Sequence, residues 1–597
     1  KHFAVHSGPE WNRHTFNIEN LPARDLWETY LPAFKSLVED GDVREVMCAY
    51  QRFDGAPCCG NNRLLQQILR NEWNFKGLVV SDCGAIGDFW IKGRHEVSTD
   101  APSASAKAVI AGTDVECGAN YKSIPMAINS GLISEDKIDE SIRRLIIERI
   151  NVGDLDPDTL VKWTRIPETV IANKEHKQLA YKMAQESMTL LQNKNDILPL
   201  KKTGQQIIVM GPNANDSIMQ WGNYTGYPTE TTTILEGIRE KIGNVKYIKA
   251  CGLTRNEVLE SRFDEIIDNN GNQGMTASYW NNTDMSGVPV ATASMPSGIN
   301  LSNGGNTVFW PNVNLEHFSA RFEGTYIPRH SEEVEFNLAF DDCARLIING
   351  DTVYEYWKPR ARVWKGNYKL KANMGEKYHI VVEYLQNTDM AVINFDINHR
   401  AVSNVNDVIA QANNADVVVF VGGISPYLEG EEMKVSEPGF NGGDRTNIEL
   451  PQSQRDIITA LHNAGKKVVF VNCSGGAVGL EPESNNADAI LQAWYPGEQG
   501  GKAVADVLFG DVNPSGKLPV TFYRNVSQLP DFLDYKMKGR TYRYFKGSPL
   551  FPFGYGLGYS LFSFGKPKYD KSKLYVDVAN NGKYDGDEIV QIYIRRI

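Results

Sequence analysis

Nowhere does an uninterrupted apolar run approach the roughly 20 residues that a helix needs to cross a bilayer, so no helical membrane span is expected. Basic excess is missing as well. Against 73 Asp and Glu stand 62 Lys and Arg, and the net charge of -11 is spread rather than blocked, which argues against a nucleic-acid partner. Cysteine is sparse: eight in 597 residues do not make the disulfide scaffold of a small secreted domain. The adjacent pair Cys58 and Cys59, with no spaced His pair after it, lacks the ligand spacing of a zinc site. No Gly-x-Gly-x-x-Gly follows the first strand of either βα series, which removes the main argument for a dinucleotide. There is no initiating Met and no signal peptide. The chain starts at Lys1 and stops at "EIVQIYIRRI", inside a run that reads as a strand, so both ends read as cut and targeting information is missing with them.

What is present is organised in blocks, and 597 residues call for three or more cores. Residues 1–150 alternate strand-like runs ("EVMCAY", "KGLVVSD") with segments apolar at helical spacing ("LPAFKSLVEDG", "RLLQQILRNEW"). Polar residues fall at the carboxyl ends of these strands, which is the catalytic face of a parallel α/β barrel. Residues 151–195 read as a linker and a long helix, "EHKQLAYKMAQESMTLLQN". A second βα series occupies 196–270 and 401–525. Its continuous Val/Ile runs, such as "ADVVVFVGG" and "KKVVFVNCSGG", imply strands covered on both faces, hence a layered α/β sandwich. Between its halves, residues 271–400 are rich in Asn, Gly, Thr and aromatics and alternate with period two, as an inserted β-sandwich would. Residues 526–564 read as a linker, and 565–597 as the start of a further small sandwich.

Three polar stretches can carry chemistry. Asp82 directly follows "LVVS", where Ser81 and Gly84 allow a tight turn; the ordinary reading of an Asp there is the N-cap of the next helix. "YLEGEEMKVSEPGFNGGDR" packs Glu429, Glu431, Glu432 and Glu437 into a loop broken by Gly and Pro, either a solvated acidic loop or one long enough to reach another domain. "KHFAVHSGPEWNRH" gathers Lys1, His2, His6, Glu10, Arg13 and His14, donors of fixed direction suited to reading sugar hydroxyls. Two local disulfides are also in reach: Cys48, a hairpin's length from Cys58 and Cys59, is matched with Cys58, and Cys83 and Cys117 each follow a strand-like run. They would suit a periplasmic or secreted protein; free buried thiols are the alternative.

In order along the chain, "KHF", "VMCAYQRFDGAP", "NFKGLVVSD", "GDVNPSGKLPVTF" and "PFGYGLGYSLF" resemble glycoside hydrolase family 3. The resemblance implies a (β/α)8 barrel, an α/β sandwich and a fibronectin type III-like sandwich. The insert, with "FSARFEGTYIPRHSEEVEFNLAFDDCARLIING", looks like the protective-antigen-type sandwich found in some members beside the active site. Carried over, Asp82 matches the family's nucleophile, Lys1 and His2 its substrate-binding pair, and Tyr50 and Met47 residues of the first subsite. The acid/base would be Glu431, with Glu429 and Glu432 as alternatives because the distance to Asp444-Arg445 is unusually long. Such a pair works by covalent catalysis, one carboxylate attacking and the other protonating the leaving oxygen, and needs no metal or organic cofactor. The two pKa values must lie apart; Lys1 or a nearby Arg would hold Asp82 ionised, and the clustered loop acids would raise Glu431. Against the family pattern the chain begins after the first half of the barrel, which implies an open barrel and little activity for this stretch alone.

Cys83 directly after the nucleophile, with "DVECG" ahead, resembles the β-xylosidase branch, in which these two cysteines are bridged; that implies Cys83–Cys117 here. A retaining, exo-acting xylan 1,4-β-xylosidase working on short oligosaccharides or aryl glycosides leads, followed by β-glucosidase and α-L-arabinofuranosidase. β-N-Acetylglucosaminidase is a third reading, weakened because no Asp beside His14 supports it. A non-catalytic carbohydrate-binding protein, with Asp341-Asp342 like the calcium-binding pair of lectin-like relatives, is the reading from another class. The sequence leaves the oligomeric state open, a homo-oligomer included.

Overall fold

Strand and helix alternate through the first 150 residues because short β-rich runs can be buried only when helices cover them. The computed structural model describes residues 1–226, 228, 230–302, 308–359 and 363–594. In it β1 (Glu45–Cys48) and β2 (Leu78–Ser81) pair in parallel. Phe3 bridges in parallel to Cys48, and Val115 to Val80. Four extended segments therefore lie side by side in chain order, all pointing one way. Helix α1 (Pro32–Glu39), a π-type helix over Arg63–Glu72 and α2 (Ala101–Ala111) make the return connections. One core holds this region together, with Phe3, Val46, Cys48, Leu65, Ile68, Val79 and Phe89 buried in it. The carboxyl ends of the strands release Val5, Tyr50 and Asp82 on a common side.

The cysteines correct one expectation. Cys83–Cys117 is bridged, but Cys48 pairs with Cys59 and not with Cys58, whose thiol stays free and buried. Cys58–Gly60 is a single 3-10 turn, in which successive side chains point about 120° apart. That rotation aims Cys59 at β1 and turns Cys58 to the Ala4 carbonyl.

Helix α3 (Lys174–Ser187) also ends earlier than its sequence suggests. Met188 turns extended, and Thr189–Asn193 forms β3, an edge strand of a six-stranded sheet. A strand suits these residues because neighbouring side chains face opposite ways: Leu190 enters one core and Leu191 another. The sheet continues with β4 (Ile207–Met210) and β5 (Lys246–Ile248).

Here the insert intervenes, and earlier than residue 271: Glu257–Ser261, assigned by sequence to the α/β series, pairs with Val392–Val402 of the insert's own sheet. Strands β6 (Glu257–Ser261), β7 (Ile299–Ser302), β8 (Glu332–Phe340), β9 (Trp364–Ala372) and β10 (Val392–Val402) form a five-stranded sheet. It lies against a seven-stranded sheet that includes Phe318–Tyr326 and Tyr378–Gln386. Alternate residues from both sheets meet in one aromatic core, with Phe336, Phe395 and Ile397 from the first and Phe322, Ile380 and Tyr384 from the second.

The six-stranded sheet resumes with β11 (Val417–Gly423), β12 (Lys467–Cys473) and β13 (Ala489–Gln492), in spatial order β3-β13-β12-β11-β4-β5. All neighbours are parallel except β3 with β13. Val417, Val419 and Val421 face one core, and Val418 and Phe420 face another. Both faces are covered, as the unbroken Val runs require. Near the end of the chain, Phe562–Phe564 pairs with Val578–Asn580, and Lys568–Asp570 with Lys573–Tyr575. The final run departs from its strand-like pattern: among the described residues, 588–594 form no strand. Ile592 and Ile594 are exposed, because period-two alternation makes a strand only where an edge is there to pair with. Residues 595–597 lie outside the described residues. No helix among the described residues is long and apolar enough to cross a membrane.

Candidate active site

Asp82 is not a helix cap. The chain after it runs through turns and one 3-10 turn, and the next α-helix, α2, is capped by Asp100, which accepts from Ser103 N at 2.9 Å. Asp82 is instead a buried carboxylate at the end of β2. Its Oδ1 accepts from the Cys83 backbone N–H at 2.8 Å. Among the described residues its Oδ2 has no hydrogen-bond partner, and it lies 3.4 Å from His2 Nε2. An acceptor oxygen buried without a donor is costly unless something else completes it.

The groups around it are those of the first strands' carboxyl ends. Burial, more than the opposing charge of Asp82, pushes the His2 pKa down, so this imidazole is neutral near pH 7. The Tyr50 hydroxyl donates to the Cys83 carbonyl at 2.8 Å, and burial followed by the Asp82 charge raises its pKa. The Tyr50 ring contacts the Arg13 guanidinium, 4.5 Å from its centroid, and the His14 ring at 4.6 Å. Lys1 Nζ sits 5.7 Å from the Tyr224 ring. Met47 lies on β1 opposite Val80, half-buried, on the other strand face from Val46 and Cys48. Lys1 and His2 also line a cavity of about 470 Å³ walled by His6, Tyr30, Tyr535 and Arg540.

The loop after β11 does reach this face. Glu10 N donates to Asp444 Oδ2 at 2.8 Å, and Glu432 N donates to Glu10 Oε2 at 2.9 Å. Glu431 accepts from Arg13 Nη2 at 2.5 Å and from the Tyr224 hydroxyl. Glu432 lies 3.3 Å from His14 Nε2. Glu429 points elsewhere: it accepts from the Tyr495 hydroxyl at 3.1 Å, with Arg445 Nε at 3.3 Å. Of the three candidate glutamates, Glu431 is the one gathered with Arg13, Lys1 and His2.

Two expectations are overturned here. Burial, the largest single effect, tends to raise the Glu431 pKa, but the Arg13 hydrogen bond and charge, with Lys1 behind them, outweigh it and hold the carboxyl below its usual range. The nearest charges decide, and they are cations rather than loop acids. His14 does have a supporting Asp: its Nδ1 lies 2.7 Å from Asp88 Oδ2, a fully buried carboxylate that also binds Arg94. The Asp88 hydrogen bond raises the His14 pKa. Asp88 is 74 residues away in sequence, and no local pattern points to it. Tyr224 and Tyr495 were likewise invisible, being single tyrosines in loops.

Residues 1–147 match the glycosyl hydrolase family 3 N terminal domain, and residues 188–559 match the glycosyl hydrolase family 3 C-terminal domain. The chain belongs to glycoside hydrolase family 3. Within that family it is 48% identical, over its full length, to a xylan 1,4-beta-xylosidase of Xylanibacter ruminicola, and spans 70% of that protein. It is 28% identical to a periplasmic beta-glucosidase of Salmonella typhimurium, over its full length and 64% of that relative. A solved family 3 fold, the beta-glucosidase of Kluyveromyces marxianus, superposes with a TM-score of 0.71 at 26% identity, covering 98% of this chain and 71% of that one.

Proposed function

We propose that this family 3 chain belongs to a retaining, exo-acting β-xylosidase that releases terminal β-D-xylose from short oligosaccharides. The observation that carries the reading is the buried Asp82 carboxylate, one oxygen held by Cys83 N–H and the other unbonded beside His2. Its Oδ2 would attack the anomeric carbon as the glycosidic C–O bond breaks, giving a covalent glycosyl-enzyme. Glu431 would protonate the leaving oxygen and then, as a carboxylate, take a proton from the water that releases the sugar. Paired with Arg13, it is ready for the second of these tasks. Substrate covering its half-exposed side chain would strengthen the burial effect that already raises its pKa, and so favour the acid form for the first. Lys1, His2 and Tyr50 would hold the sugar hydroxyls, with Met47 beside them. No metal or organic cofactor enters these steps.

The xylose assignment leans on the 48% identical relative and on the Cys83–Cys117 bridge. β-Glucosidase is the second reading, supported by relatives of that name at 28% identity. The four parallel segments in chain order support a partial (β/α)8 barrel over 1–150, and the paired strands after residue 561 support a fibronectin type III-like start. The two-sheet insert supports a protective-antigen-type domain. Two disulfides favour an oxidising compartment, periplasmic or extracellular. Comparison of kcat/KM on aryl β-xyloside, β-glucoside, α-L-arabinofuranoside and β-N-acetylglucosaminide tests the reading. The xyloside should lead; a leading glucoside would replace xylose by glucose, and a leading N-acetylglucosaminide would overturn the reading.

A further inference from the structure

The five-stranded sheet of the insert turns its apolar residues inward, and its other face carries a row of amides. Register places Asn337 on β8 opposite Asn367 of β9 and Asp396 of β10; one step along, Ala339 lies opposite Lys365 and Asn394. The small Ala339 leaves a dent between longer neighbours, and a groove of about 410 Å³ runs along Asn337, Ala339, Lys365, Asn367, Asn394 and Asp396. That volume lies within the range of small-ligand sites, about 300–1,000 Å³.

The groups in the groove are wired in one direction. Asn367 donates to Asn337 at 2.8 Å, Asn337 to Asn398 at 2.9 Å, and Asn398 to Asp396 at 2.8 Å. Ser261 closes the chain on the other Asp396 oxygen at 2.7 Å. Asn394 breaks the pattern: its Oδ1 is buried and has no hydrogen-bond partner among the described residues. A buried acceptor left so is costly, and rotation of the Asn394 amide into the groove would let a ligand O–H or N–H complete it. At one end, Lys365 Nζ lies 5.8 Å from the ring of Tyr427, two residues before Glu429 and on the same loop as Glu431. One residue of the groove wall, Lys365, therefore lies against the loop that reaches the candidate active site.

We propose that this groove is a second glycan-binding site, which holds a linear, neutral oligosaccharide by its hydroxyls. Side-chain amides each donate and accept, as the neighbouring hydroxyls of a sugar do. An anion would meet one lysine and an aspartate, which gives it no net attraction. Binding rests on these side chains alone; that the glycan held here is also a substrate of Asp82 rests on the hydrolase reading above.

Two variants test it in the full chain: Asn367→Ala removes a donor from an exposed strand, and Ala339→Trp fills the dent. With Asp82→Ala added to prevent turnover, calorimetry with xylohexaose should show affinity weakened about fivefold by the first, the cost of one neutral hydrogen bond, and roughly tenfold or more by the second. Binding of methyl β-xyloside should be unchanged, and without Asp82→Ala, so should kcat/KM on an aryl xyloside. Circular dichroism of each variant establishes that the insert is folded; for a variant that is not, Asn394→Ala replaces it. Unaltered hexasaccharide affinity in folded variants, or no hexasaccharide binding by the chain at all, overturns the proposal. Groove-dependent binding without any glycoside hydrolysis would instead sink the hydrolase reading and leave the groove standing.

Discussion

Replacing Arg13 by glutamine removes the cation 2.5 Å from Glu431 and leaves the burial that raises its pKa. A general acid must be protonated, so activity falls as pH climbs through its pKa. With the depressing charge gone that pKa rises, and the basic limb of the kcat/KM profile should move to higher pH. A limb that stays in place, or moves down, would remove Glu431 from the acid's role. At this scale the sequence was informative where chemistry follows directly from chain position. That Asp82 ends a strand could be read from the apolar run before it, and its grouping with Lys1 and His2 from the motifs shared with the family. Which charge lies nearest Glu431 could not. Arg13 stands 418 residues away, and the sign of the shift depended on that contact and not on the acids beside it. His14 and Asp88 teach the same lesson, since only folding brings them to 2.7 Å.

The single 3-10 turn at Cys58–Gly60 decides which cysteine Cys48 meets, and a pair of serine variants reads it out. Cys59→Ser opens a bridge between residues 11 apart, a loop whose closure is worth about 3 kcal/mol in the chain-entropy account. Cys58→Ser changes one buried thiol. The midpoint of thermal unfolding should therefore drop further for Cys59→Ser; the reverse order would restore the Cys48–Cys58 pairing. Spacing could not separate the two cysteines because they are adjacent, and a rotation of one residue is a tertiary fact. The same holds for β3: "TLLQN" continues a helical pattern, and only a sheet with cores on both faces makes Leu190 and Leu191 better placed in a strand. By contrast "DVVVFVGG" needed no context, because seven consecutive residues are buried in β11 and a run so apolar has no solvent face to offer.

Across the whole molecule, the site is assembled from two regions that are far apart in sequence. The amino-terminal stretch supplies Glu10, Arg13 and His14, and the loop after β11 returns Glu431, Glu432 and Asp444 to meet them. Change of texture along the chain was enough to separate the βα series from the insert, since a period of two and unbroken Val runs belong to different burial environments. How the loop docks was not in any local pattern. The central claim is that Asp82 becomes covalently attached to the sugar. Incubation with an aryl 2-deoxy-2-fluoro-β-xyloside, digestion and mass spectrometry test it most directly. The account predicts the glycosyl mass on the peptide containing "LVVSDCGAI", at Asp82, and no adduct in Asp82→Ala. A label on another carboxylate, or turnover that survives in Asp82→Ala, would contradict it.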